Sequence, residues 1–338
     1  MSGLKILVTG GAGFIGSSLC ERLISQGHSV LAYDSLFRGN KSNLSALAGN
    51  ERFQFMQGDV RDVERLDEAI ECLDGVDLIY HLAAVNGTKW FHDAAHSVID
   101  VNINGTLRTL ELAMAHDARY VLASSPEAFG EALQQPIQNG NEMTFTDPSM
   151  HQRHSYGASK YLDEIACQHA VREGLDVRIV RPFNAYGPRL LGDEYGQVVA
   201  MFFQAILSQE PLQLHNGGQQ TRSFTWIEDI VDGFMLTGLQ EKGLQGESLS
   251  GCALNIGSTE EVTIQHLQER IFSLVSHDET WGKDLPQIED SQGYHGDALR
   301  RLPDCSQAIT LLGWSAPTSL EQGLHLMWSS LRSEIFEP

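Results

Sequence analysis

A doubly wound α/β fold, in which helices cover both faces of a parallel sheet and a smaller C-terminal lobe follows, is what the sequence predicts. Three observations predict it. Apolar runs of strand length near 4–9, 28–33, 52–56, 76–81, 119–124 and 176–181 alternate with segments of helical period. Strands separated by helices in this way pair in parallel. The first run is followed at once by Gly10-Gly11-Ala12-Gly13-Phe14-Ile15-Gly16, and the second is closed by Asp34.

Taken in order, Leu4 to Thr9 is too short for a signal peptide or a membrane span and reads as the first strand. Gly10, Gly13 and Gly16 lack side chains that would keep a pyrophosphate away from the backbone. The N–H groups of Phe14 and Ile15, at the start of a helix over 14–27, point at its charge. A structural tight turn would explain the glycines but not Asp34, whose carboxylate stands where an adenosine ribose donates its hydroxyls. That makes the fold Rossmann-type. A carboxylate there repels the extra phosphate of NADP, and although Arg38 would soften this preference, NAD is the expected cofactor.

Further along, helical patterns cover 93–116 and 156–172, each with an apolar stripe. Between the fourth strand and the first of these helices lies Val85-Asn86-Gly87-Thr88-Lys89-Trp90-Phe91. Its place at the carboxyl edge of the sheet puts Asn86 and Thr88 against a substrate. An ordinary loop with a buried aromatic pair is the plainer reading. After Pro182 the pattern turns irregular and rich in Gly and Pro. We therefore expect an NAD-binding domain over 1–182, completed by part of 222–256, and a mainly substrate-binding lobe over 183–338.

Tyr156 and Lys160 in Ser155-Tyr156-Gly157-Ala158-Ser159-Lys160 lie four residues apart on the helix, so both project from one face. An ammonium beside a phenol favours the phenolate, which can exchange a proton with a substrate hydroxyl near neutral pH. Any amphipathic helix can carry that spacing by chance. Together with a dinucleotide loop it points to alcohol–ketone redox chemistry.

At 338 residues, 42% hydrophobic and 20% charged, the chain is an ordinary globular enzyme. Forty-four acidic against 23 basic side chains give a net charge of −21, which disfavours nucleic acid and anionic membrane as partners. Five scattered cysteines, at 20, 72, 167, 252 and 305, suggest reduced packing residues and a cytoplasmic setting. Thirteen histidines include no H-E-x-x-H or comparable spacing, so no metal is expected.

With these residues assembled, the chain resembles the extended short-chain dehydrogenases/reductases of the NAD-dependent nucleotide-sugar epimerase/dehydratase family. Further matching motifs are Gly58-Asp59-Val60, His81-Leu82-Ala83-Ala84, Val101-Asn102-Ile103-Asn104-Gly105-Thr106, Ser124-Ser125, Arg181-Pro182-Phe183-Asn184-Ala185-Tyr186-Gly187-Pro188-Arg189 and Thr221-Arg222-Ser223-Phe224. The resemblance implies that Asp59 and Val60 contact adenine and that Leu82, Ala83, Ala84 and Asn102 complete the cofactor site. By the same resemblance Tyr156 is the base, Lys160 holds the nicotinamide ribose and lowers the tyrosine pKa, and Ser124 or Ser125 hydrogen-bonds the sugar oxygen being oxidised. It also implies a homodimer packed through the helices at 93–116 and 156–172.

Within the family, Ser124-Ser125-Pro126-Glu127-Ala128-Phe129-Gly130 argues against a 4,6-dehydratase, because Pro126 takes the place of that subfamily's proton-donating aspartate. Glu127 matches the UDP-glucuronate decarboxylases instead. So does Arg300-Arg301-Leu302-Pro303-Asp304, with Arg301 in register with the arginine that assists decarboxylation, and so do Gln219 to Phe224 and Gln197 to Phe202 around the nucleotide. Asn184, Arg189, Val199 and Arg222 would then bind a UDP-sugar, Arg222 its diphosphate. Arg301 would hold a carboxylate, and Glu127 would position or protonate near C5. Pro126 and the Val85–Phe91 run depart from the decarboxylases, and Leu133 to Met150 aligns with nothing. A C4 epimerase and a non-catalytic dinucleotide sensor stay open as alternatives.

Overall fold

The computed structural model describes residues 3–193, 197–293 and 296–336. Its first half runs β1 (Lys5–Thr9), α1 (Phe14–Ser25), β2 (Ser29–Asp34), β3 (Phe53–Gln57), α2 (Val63–Leu73), β4 (Leu78–His81), α3 (Thr88–Asp93), α4 (Ala95–His116), β5 (Arg119–Ala123), α5 (His154–Arg172) and β6 (Val177–Pro182). The remainder is made of β7 (Ala185–Tyr186), α6 (Val198–Ser208), β8 (Leu212–His215), β9 (Thr221–Ser223), β10 (Thr225–Trp226), α7 (Ile227–Leu239) and β11 (Ala253–Ile256). It closes with β12 (Glu261–Thr263), α8 (Ile264–Ser276), β13 (Ile288–Ser291), β14 (Arg300–Arg301), α9 (Ser306–Leu312) and α10 (Leu320–Phe336).

Seven parallel strands form the main sheet in the order β11-β6-β5-β4-β1-β2-β3. Alternate residues of each strand enter different cores, as the two-residue period of a strand requires. Ile6, Val8, Val30, Ala32 and Tyr80 pack on one face, and Leu7, Leu31, Tyr33, Ile79 and Tyr120 on the other. Both faces being covered is why these strands read as continuous apolar runs. The strand order reverses between β1 and β4, and the crevice outside their carboxyl ends is where such folds bind ligands.

Two helices begin elsewhere than the sequence suggests. The predicted 93–116 helix is broken at Ala94 (φ −138°, ψ 39°), leaving α3 as a separate six-residue turn before α4. The helix carrying Tyr156 starts two residues early, at His154. Beyond Pro182, β9 runs antiparallel to β12 and parallel to β14, in a register that sets Arg222 opposite Arg301. A short strand pair thus brings together two cations 79 residues apart in the chain.

Candidate active site

The cofactor side is built by β1, α1 and β2. Gly13 is an extended N-cap with no side-chain cap, and the first intrahelical bond runs from Ser17 N to Gly13 O. The amides of Phe14, Ile15 and Gly16 are therefore left for an anion. Glycine is required here by contact: a Cβ on Gly16 would lie 2.1 Å from Gly10 O, and one on Gly10 (φ +69°) 2.7 Å from Ala83 N. Asp34 accepts from Ala12 N at 3.0 Å and Leu36 N at 2.8 Å. Burial raises its carboxyl, and those two amides pull it back. Arg38 is engaged by Asp193 at 3.1 Å.

Asp59 and Val60 follow β3. Arg61 grips the Asp59 carboxylate at 2.6 Å, and Tyr33 Oη donates to Asp59 O at 2.9 Å. Val60 is buried against Gly105, where a Cβ would meet its methyl at 2.6 Å. Asn102 accepts from Val85 N at 2.8 Å and donates to Ser159 Oγ at 3.0 Å, tying the chain after β4 to the catalytic helix. That holds Leu82 and Ala84 along a cleft of about 1060 Å³, which Gly10, Gly13, Phe14, Ile15 and Gly16 also line.

Tyr156 stands in this cleft with its ring stacked on Phe91, centroids 4.9 Å apart and planes 7° off parallel. Burial pushes the phenol up, a hydrogen bond shared with Ser125 opposes this, and the charges of Glu127 and Asp163 add to the rise. The lowered phenol expected beside Lys160 is not what the protein alone has. Lys160 Nζ is fully buried and engaged by Asp163 Oδ2 at 3.2 Å, which draws its charge to a carboxylate one turn along. Both serines expected near the sugar oxygen line the cleft, and Ser124 is already engaged. Its hydroxyl donates to Glu164 Oε1 at 2.5 Å, and Glu164 is held in turn by Arg181 at 2.6 and 2.8 Å, so Ser125 is the hydroxyl that meets Tyr156.

Glu127, in a single 3₁₀ turn over Pro126–Phe129, is met by both terminal nitrogens of Arg301, Nη2 to Oε2 at 3.1 Å, and by Arg153 Nη2 at 3.4 Å. Asp297 receives Arg153 at 2.9 Å and Arg222 at 3.2 Å. Burial raises the Glu127 carboxyl, but the charges of Arg301, Arg153 and Arg222 outweigh it and bring it down to about 2. A carboxylate so held is ionised at neutral pH, which suits the positioning part of the role expected of it. Burial and the neighbouring Arg301 lower Arg222 to about 10. Arg222 thus joins this cluster and also lines the cleft, where a diphosphate is expected. Three guanidinium groups face two carboxylates, one positive charge in surplus.

The other expected substrate residues divide. Asn86, Thr88, Asn184 and Arg189 line the cleft. Asn184 donates to Ser223 O at 2.8 Å, and Arg189 is drawn to α1 by Glu21 at 2.6 Å and Ser17 at 3.2 Å. The Val199 side chain is fully buried in the core, and Gln197, Val198 and Met201 face the cleft beside it. Only its backbone, in the first turn of α6, is free to meet a ligand. Arg153 and Asp297 were not expected, and Phe91 closes the run expected to line the cleft. Arg153 stands three residues before Tyr156, a helical spacing that could have found it, whereas nothing in the Gly-rich stretch around Asp297 marks it.

A match to the NAD dependent epimerase/dehydratase family spans residues 6–257. UDP-glucuronic acid decarboxylase 2 of Arabidopsis thaliana is 34% identical over 99% of this chain and 69% of its own length. Among solved structures, UDP-glucose 4-epimerase of Thermotoga maritima with UDP-glucose superposes with a TM-score of 0.85 at 27% identity, covering 98% of this chain and 99% of that one. A dTDP-glucose 4,6-dehydratase double mutant of Streptomyces venezuelae, with NAD bound, gives 0.82 at 26% identity over 98% and 99%.

Proposed function

The chain belongs to the NAD dependent epimerase/dehydratase family, and from that premise we propose that it decarboxylates a UDP-hexuronic acid through a transient 4-keto sugar. It is an NAD-dependent enzyme of nucleotide sugars, and the uncapped α1 terminus, the glycine contacts and Asp34 fit the dinucleotide. The observation that carries the finer reading is the buried cluster of Arg153, Arg222 and Arg301 around Glu127 and Asp297, beside Tyr156 and Ser125. Its surplus positive charge is matched by one substrate carboxylate.

When bound, NAD supplies hydride acceptance from, and return to, the sugar C4 carbon. Tyr156 accepts the C4 hydroxyl proton, and Ser125 shares a hydrogen bond with the same oxygen. A ketone at C4 makes the C6 carboxylate that of a β-keto acid. As the C5–C6 bond breaks, its electron pair flows toward the C4 oxygen, where the Tyr156 and Ser125 hydroxyls stabilise the growing charge. The enolate then takes a proton at C5 from solvent, and the return of hydride to C4 and of the Tyr156 proton to its oxygen completes the UDP-pentose. Glu127 stays ionised and fixes the Arg301 fork, while the guanidinium cluster holds the carboxylate in place until it leaves as carbon dioxide. Lys160, released from Asp163 toward the nicotinamide ribose, is the residue we assign to orienting the cofactor and, with its charge turned to the phenol, to offsetting the burial that otherwise keeps Tyr156 protonated.

Binding without turnover tests the charge argument. In Tyr156→Phe loaded with NAD, calorimetry should find UDP-glucuronate bound at least about tenfold tighter than UDP-glucose, a difference of roughly 1.4 kcal/mol. Arg153→Gln in the same background should erase that preference. Equal affinity for both sugars before the second substitution would favour a C4 epimerase, the activity named for the Thermotoga maritima neighbour.

A homodimer is part of the proposal. Exposed Ile99, Leu107 and Met114 on α4 and Tyr161, Leu162 and Ile165 on α5 support it. Five free thiols support a reducing, cytoplasmic setting.

A further inference from the structure

Outside the cleft, the segment between the 3₁₀ turn and α5 brings together three side chains that the reaction does not use. Glu131, His151 and His154 each present one ligand atom, and these atoms all lie within 4.8 Å of one another. We propose that they form a site for a divalent ion of the zinc class, which fastens the 131–151 segment to the first turn of the catalytic helix.

Two imidazoles and one carboxylate are the donor set that borderline divalent ions prefer, and they leave a fourth position for water. The spacing suits it. Ligands 2.0–2.1 Å from a tetrahedral ion are separated by about 3.3 Å, and Glu131 Oε1 already lies 2.9 Å from His154 Nε2. All three residues are half-buried, which limits competition from water. Thr146 donates its hydroxyl to the same Glu131 oxygen, orienting the carboxylate as an outer partner does in metal sites. The His151 ring is seated on Gly296, whose φ is +77°, and a Cβ there would come within 2.6 Å of Nε2. Two neighbouring segments therefore already shape the pocket around these ligands.

The ligands' places in the chain give the ion its consequence. Glu131 lies four residues after Glu127, His154 two before Tyr156, and Gly296 directly before Asp297. One ion would brace the three stretches that carry the general base, the guanidinium cluster and its second carboxylate. The trio lies in two stretches, Glu131 twenty residues before the His151–His154 pair, which is why the histidine pattern alone gave no sign of it.

The full chain, stripped with a chelator and dialysed, is titrated with Co²⁺ while visible absorption is followed, and with Zn²⁺ by calorimetry. The expected result is one equivalent per chain with the intense visible bands of tetrahedral cobalt, and a higher melting temperature with Zn²⁺. His151→Ala and Glu131→Gln should each weaken uptake at least about tenfold, since even outer partners of a metal site are worth that much. NAD binding and the melting curve without metal show that each variant is folded. No saturable uptake by the wild type, or uptake that neither substitution changes, overturns the site and leaves the trio a hydrogen-bonded His–Glu pair.

Discussion

At the scale of single residues, the account rests on Tyr156 as proton acceptor and on Glu127 as a fixed anion. Tyr156→Phe should cut turnover by roughly 10²–10⁴-fold, the usual worth of general acid–base catalysis, with NAD affinity unchanged in a fluorescence titration. Glu127→Gln leaves Arg301 without its bidentate partner in a buried place. We expect a loss of about 3 kcal/mol in denaturant melts at neutral pH, as for breaking a buried pair. The pH dependence has a definite sign. The folded carboxyl titrates near 2, below its ordinary value of 4.5, so its contribution is complete above about pH 4.5 and is lost as pH falls toward 2. The gap in stability between wild type and Glu127→Gln should therefore narrow over that window and stay constant above it. Asp34, Tyr156 and Lys160 were legible because each belongs to a local motif. The partner of Lys160 was not. Asp163 lies one turn further along the same buried face, and spacing alone cannot say which neighbour captures an ammonium.

At the scale of elements, β1 to β6 were legible from sequence to within two residues at each end, because the inner strands are covered on both faces and mostly apolar, while the edge strand β3 still carries Phe53, Phe55 and Met56. Helix α3 was not legible, being six residues long with Gly87 at φ +142° and no side-chain cap, so that its existence depends on Phe91 packing on Tyr156. Phe91→Ala should lower stability by about 3–5 kcal/mol, the cost of emptying an aromatic site, with a larger fall in kcat than rise in KM. The 3₁₀ turn that presents Glu127 is pressed against α5 at Gly157, where a Cβ would sit 2.3 Å from Glu127 O. Gly157→Ala must push the turn away, costing about 1–3 kcal/mol as overpacking does. Turnover should fall with it, since Glu127 and its guanidinium partners move as one. Thermal melts beside steady-state kinetics would check both; an unaltered kcat in a destabilised protein would detach the turn from catalysis.

For the whole molecule, the instructive contrast is between a chain of net charge −21 and a cleft holding three buried guanidinium groups. Negative charge spread over the surface disfavours polyanions, while the local surplus of cation is assigned, in the proposed function, to one carboxylate in the cleft. Composition revealed the first half of that arrangement. The second depends on the β9–β14 register and on loops near 153 and 297, contacts between distant segments that no local pattern announces. Assembly is tested at this scale too. On the proposed homodimer, the wild type should run as a dimer in light scattering and Leu162→Glu, on the exposed apolar face of α5, as a monomer, with little change in melting temperature.

The most direct measurement of the central claim is mass analysis of the product after the purified protein is incubated with NAD and UDP-glucuronate. The account predicts a UDP-pentose, lighter than the substrate by one carbon dioxide, formed by the wild type and not by Tyr156→Phe. A product of unchanged mass that separates chromatographically as an isomer of UDP-glucuronate would contradict it. The guanidinium cluster would then hold a carboxylate that survives the reaction.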